Sequence, residues 1–120
     1  MRIIVTGGRA FTDRALVWMT LSDWDSQHGI DSVVQGMANG ADRLARQWAC
    51  FYRRVVINYP ANWQTFGFGA GPKRNEAMAR SAAADALISF AGGRGTSDMV
   101  ARAKAHGIRH YAAAWPPGPR

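Results

Sequence analysis

A single cysteine, Cys50, rules out an intrachain disulfide and a cysteine cluster for zinc. It fits a reducing cytosol, so the chain is expected to be cytoplasmic, with Cys50 a small buried hydrophobe on a helix. His28, His106 and His110 fall near helix ends and a late strand without metal-ligand spacing, and read as surface or structural residues. No apolar run approaches the roughly 20 residues that cross a bilayer. No long apolar stretch with a small-residue cleavage site follows Arg2-Ile3-Ile4-Val5, so no membrane span or signal peptide is expected. The G-x-G-x-x-G of ordinary dinucleotide binding, the G-x-x-x-x-G-K-[ST] of P-loop NTPases and the serine nucleophile elbow are all missing. Neither a metal nor a cofactor is expected.

Lysine is scarce but positive charge is not. Thirteen arginines and two lysines against eight acids give a net charge of +7. Such a balance favours anionic partners, whether phosphates, nucleotides or nucleic acid. The arginines are spread along the chain and form no basic run, which ranks nucleic acid behind a small phosphate-bearing nucleotide.

With 48% hydrophobic and 19% charged residues, 120 residues suffice for one globular domain with one core. Five short apolar segments, at 3–6, 32–35, 55–59, 86–90 and 110–113, are continuous rather than alternating, as in strands buried on both faces of a parallel sheet. Helical spacing lies between them. The first helix starts near Thr12 or Asp13 and carries Leu16, Val17, Leu21 and Trp24; the second aligns Ala41, Leu44, Ala45, Trp48, Ala49 and Tyr52. The third spans about 73–83 behind Pro72, and the fourth opens near Thr96, buries Met99, Val100 and Ala103, and ends at Gly107. This alternation predicts the α/β class: a single Rossmann-like doubly wound domain over residues 1–113, with about five parallel strands in order 3-2-1-4-5 and four helices. The Pro-rich segment 114–120 is expected to be an extended tail, with Trp115 able to dock.

Two glycine-rich turns follow strands: Gly7-Gly8-Arg9 after the first, and Gly92-Gly93-Arg94-Gly95-Thr96 after the fourth. Glycine lets the backbone turn sharply and approach a ligand, and a helix opening there offers unpaired N–H groups to an anion. In the 3-2-1-4-5 order both turns flank the switch point, where open α/β sheets bind ligands. Residues 36–42 have a plain reading, a tight turn with Asn39 or Asp42 near a helix start. They also have a functional one, with Asp42 beside the ligand on a ribose hydroxyl. Lys73 and Arg74 at a helix N-terminus oppose the helix dipole, which an anion there would explain; Arg74 can grip phosphate through two parallel hydrogen bonds. The glycine- and aromatic-rich residues 61–71 read equally as a ligand wall or lid and as a cover for the sheet edge.

Together with Tyr59-Pro60-Ala61-Asn62-Trp63 and Ala70-Gly71-Pro72-Lys73-Arg74-Asn75, these segments resemble the YspA-like branch of the SLOG superfamily over about residues 1–113. The resemblance implies a Rossmann-like fold and a nucleotide or nucleotide-derived ligand. Related Lonely Guy phosphoribohydrolases cleave the N-glycosidic bond of nucleoside monophosphates. Their P-G-G-x-G-T-x-x-E motif is similar to residues 91–99, and their R-K-x-x-M segment to Arg74, Asn75 and Met78. The match implies that Gly92, Gly93, Gly95 and Thr96 hold phosphate and that Arg74 lies beside the ribose. The motif's Pro, Lys and catalytic Glu are here Ala91, Asn75 and Met99. A glycosidase would need another carboxylate, for which Glu76, Asp98 and Asp42 are the candidates. The binding set is therefore Gly7, Gly8, Arg9, Asp42, Arg74, Asn75, Gly92, Gly93, Arg94, Gly95 and Thr96. The same relatives commonly dimerise, which implies a homodimer or higher homo-oligomer.

Overall fold

The computed structural model describes residues 1–113; the tail 114–120, with Trp115, lies outside the described residues. Five strands form one parallel sheet: β1 (Arg2–Thr6), β2 (Ser32–Gln35), β3 (Val55–Asn58), β4 (Ala86–Ser89) and β5 (Arg109–Ala112). Their order is β3-β2-β1-β4-β5. The central strand β1 runs in register with both neighbours, Ile4 opposite Val34 on one side and Leu87 on the other.

Four full helices join the strands: α1 (Arg14–His28), α2 (Ala41–Phe51), α4 (Ala70–Ser81) and α5 (Arg94–Ala105), with a one-turn helix α3 (Trp63–Phe66) and a 3₁₀ turn (Gly67–Gly69) before α4. Side chains alternate across the sheet, so Ile3, Val5 and Ile88 pack with α1 and α2 around Leu21 and Trp48. Ile4, Val34 and Leu87 pack on the other side with Met78 and Ala79 of α4 and Met99 and Ala103 of α5. The central strands are buried on both faces, which accounts for their unbroken apolar runs, whereas the edges β3 and β5 have exposed end residues.

Local chemistry sets the helix ends. The Asp13 side chain accepts from the Leu16 amide at 3.0 Å and starts α1. Gly107, at φ 76, follows α5 in the left-handed conformation expected of it. Two expectations need correction. Cys50 is exposed, because it continues the solvent-facing row of Arg43 and Gln47 on α2 while Trp48 and Ala49 turn inward. The third full helix starts at Ala70, not near Lys73, since Ala70 and Gly71 are small enough to be buried in its first turn. Among the described residues no helix is long and apolar enough to cross a membrane.

Candidate functional site

The C-terminal ends of β1 and β4 open into a cavity of about 1110 Å³. The two glycine turns meet at its floor. The Gly8 amide donates to the Ala91 carbonyl at 2.9 Å, and the Phe90 amide to the Thr6 carbonyl at 2.9 Å. A Cβ on Gly92 would meet the Thr96 hydroxyl and lie 2.6 Å from the Gly8 nitrogen. Glycine at 92 is therefore demanded by the approach of the two turns. Because its N–H is already bonded, Gly8 acts as scaffold. A run of free donors lies on the β4 side. There α5 begins at Arg94 behind Gly93, which supplies no side-chain cap. The first i to i−4 bond at this end runs from Ser97 to Gly93, so the amides of residues 94–96 have no intrahelical acceptor. In front of Gly93 and Gly95 a Cβ would meet nothing within 4 Å.

The opposite wall is built by α4. Arg74 lies in its second turn rather than at its N-terminus, so the argument from an opposed helix dipole does not apply to it. Its guanidinium is seated instead by side contacts. Nη1 donates to the Gly36 carbonyl at 2.5 Å and Nε to Asn75 Oδ1 at 2.8 Å. Gly36 makes the seat possible, since a Cβ there would lie 2.5 Å from the guanidinium carbon and overlap Nη1. Asn75 is the link between walls. It is buried, and its Nδ2 donates to the Gly95 carbonyl at 3.2 Å and to Asp98 Oδ2 at 3.0 Å. Arg74 and the first turn of α5 are thus fixed relative to one another through one side chain. Burial and the nearby Arg9 guanidinium pull the Arg74 pKa below its ordinary value, opposed by the Asp42 carboxylate.

Asp42 combines both roles open to it in the sequence. Its Oδ2 accepts from the Gly36 and Ala38 amides at 3.0 and 3.2 Å, closing the β2–α2 turn, and the residue also lines the cavity. Oδ1 accepts no hydrogen bond among the described residues. Burial raises the Asp42 pKa, against the two amides and the Arg74 and Arg46 charges, which lower it. Neighbouring Gln35, fully buried, accepts from Arg46 at 2.9 Å and from the Met37 amide at 2.7 Å. These bonds hold Met37 at φ 61, a left-handed conformation unusual for a side chain of its size.

Residues 1–66 match the family described as the YspA, cpYpsA-related SLOG family. The chain is also 38% identical over 116 residues to the gene 61 protein of Mycobacterium phage D29, spanning 89% of this chain and 91% of that one. This chain belongs to the YspA, cpYpsA-related SLOG family. No solved structure matches it.

The SLOG chain gathers most of its sequence-predicted residues at one cavity: Gly7, Gly8 and Arg9 from the first turn, Gly93, Arg94, Gly95, Thr96 and Asp98 from the last, and Asp42, Arg74 and Asn75 between them. Gly92 is exposed and does not line the cavity, packing instead against Gly8 and Thr96. Glu76 faces elsewhere. Its carboxylate meets Arg102 at 3.3 Å and His106 at 2.8 Å on α5, and these contacts hold its pKa below the ordinary range. Asp98 reaches the cavity but already bonds Arg102 at 2.9 Å as well as Asn75. Trp63 and Phe68, read in the sequence only as one of two alternatives for residues 61–71, also line the cavity. Met78, the last residue of the segment similar to R-K-x-x-M, lines it too, as do Ala38 and Pro72, whose side chains carry no chemical signal of a site.

Position 99 decides how far the Lonely Guy motif can extend. Met99 is fully buried in the α4–α5 face of the core and does not line the cavity. Restoring the motif residue by Met99→Glu would bury an unpaired carboxylate, and is expected to destabilise the fold by about 3 kcal/mol or more without creating base release. Urea denaturation and an assay for free base would check both. The seat of Arg74 gives a subtler prediction. Gly36→Ala is expected to shift the guanidinium and to weaken about tenfold the binding of any anion that Arg74 grips, with stability changed by less than about 1.5 kcal/mol, because the obstructed atoms end a flexible side chain. Calorimetric titration beside a melting curve separates the two effects.

Proposed function

We propose that the protein binds a phosphate-bearing nucleotide or nucleotide-derived metabolite in this cavity, as a sensor, scavenger or sequestering module. The observation that carries the reading is the state of Arg74. A half-buried guanidinium, its charge favoured by the nearby Asp42 carboxylate and disfavoured by Arg9, forms no salt bridge among the described residues while lining the same cavity as the free amides of α5. A phosphate in that space would meet two guanidinium groups, oriented N–H donors and the positive end of a helix dipole. The family membership supports a nucleotide-related ligand, and the excess of arginine over acid favours its capture. A cytoplasmic setting, where nucleotides are abundant, goes with this reading.

A thermal-shift panel of nucleoside monophosphates tests it. A binder at about one hundred times its Kd stabilises the fold by about 2.7 kcal/mol. A panel that leaves the melting temperature unchanged at millimolar concentration contradicts the proposal.

One observation favours a second reading, an N-glycosidase. Asp42 presents at the cavity a carboxyl oxygen without a partner among the described residues, and a carboxylate there could stabilise the oxocarbenium-like centre formed when a glycosidic bond breaks. Release of free base from a nucleoside monophosphate, lost in Asp42→Asn, would establish that reading. Binding without release leaves the first one standing.

A further inference from the structure

Three aromatic side chains lie between Trp63 and the start of α4, and two of them have partners. Arg9 sits over the Trp63 ring at 4.8 Å and Lys73 over the Phe66 ring at 4.8 Å. The rim of the Trp63 indole also lies over Gly71, 3.4 Å from where a Cβ would be. Phe68 has no ring or cation partner among the described residues. Its relative exposure is 101%, so the ring is wholly in water, yet it lines the same cavity as Arg74 and the first turn of α5. Its segment is nonetheless held. The Asn62 side chain accepts from the Thr65 amide at 3.1 Å, and the Gly67 amide bonds back to Trp63. Gly67, at φ 53, and Gly69 flank Phe68.

We infer that Phe68 is a stacking platform for the planar base of the bound nucleotide, with Trp63 forming the fixed wall beside it. The inference rests on the nucleotide reading and deepens it, since a ligand recognised by phosphate alone would have no use for the ring. The cavity is polar where Arg74 and α5 line it and aromatic where Trp63 and Phe68 do. A nucleotide has the same two ends, an anionic phosphate and a flat heterocycle whose faces are apolar. Arg9 connects the ends, covering Trp63 while its charge is felt at Arg74. Stacking tolerates any base because every base has a π-face, so the platform selects for a nucleobase without choosing among them.

The test compares nucleoside 5′-monophosphates with ribose 5-phosphate by calorimetric titration of the wild-type protein and Phe68→Ala. The nucleotides are expected to bind about tenfold more tightly than ribose 5-phosphate, and Phe68→Ala to erase that difference, in the range of base–aromatic stacking. Because Phe68 buries nothing, the variant is expected to melt with the wild type. Equal affinity for both ligands, or a preference that survives Phe68→Ala, overturns the platform while leaving the phosphate site intact. Binding of neither ligand overturns the nucleotide reading and the platform with it.

Discussion

Gly93→Asp is expected to weaken nucleotide binding by about three orders of magnitude while leaving the fold as stable as the wild type or slightly more so. The two effects separate because position 93 is the N-cap of α5 and a Cβ there meets nothing within 4 Å. An aspartate side chain at an N-cap accepts from the amides of the first turn and stabilises a helix by a few tenths of a kcal/mol relative to glycine. In doing so it takes the donors a phosphate needs and puts a like charge beside it. At an effective dielectric constant of about 20, two unit charges 4 Å apart repel by about 4 kcal/mol, which sets the scale of the loss. Gly93→Ala is the control: it adds the Cβ without the charge and should bind within about threefold of wild type. Loss of binding in the alanine variant would point to a steric rather than an electrostatic requirement. Titration calorimetry and thermal melts of the two variants decide between these.

Arg74→Ala is expected to cost about a hundredfold or more in affinity, with little change in stability. Removing one partner of a desolvated, hydrogen-bonded charge pair typically costs 2–5 kcal/mol, and about 1.4 kcal/mol corresponds to a factor of ten. The unliganded fold depends on this residue less. Burial and Arg9 disfavour its charge against the pull of Asp42, and the bonds lost are those to Asn75 and to the Gly36 and Tyr59 carbonyls. Arg74→Lys keeps a charge but not the planar fork, so it should fall between wild type and alanine. Equal affinity in all three proteins would remove Arg74 from the site. A melting temperature that collapses in the alanine variant would show that its seat is structural.

The sheet was legible in the sequence because burial on both faces leaves unbroken apolar strands, and alternating strands and helices permit few topologies. The order β3-β2-β1-β4-β5 and the meeting of the two glycine turns follow from that logic. Their division of labour did not. Which amides remain free depends on the Gly8 to Ala91 bond, a long-range pairing with no local signature. Likewise, α4 starts earlier than the sequence pattern indicates, because glycine and alanine before Pro72 look like loop, and only packing shows that they are buried. The exposed row Arg43, Gln47 and Cys50 was readable at helical spacing, and the polar character of its first two members was the available signal. Glu76 looked eligible beside Asn75, yet one step along a helix turns a side chain by about 100° and carries it to the α5 pair Arg102 and His106.

The most direct measurement is an amide NMR titration of the protein with a nucleoside 5′-monophosphate. The first-turn amides of α5, residues 94–96, should move most and saturate together with the Arg74 side-chain signals. Shifts confined to another face of the molecule, with those amides unmoved at saturation, would contradict the site.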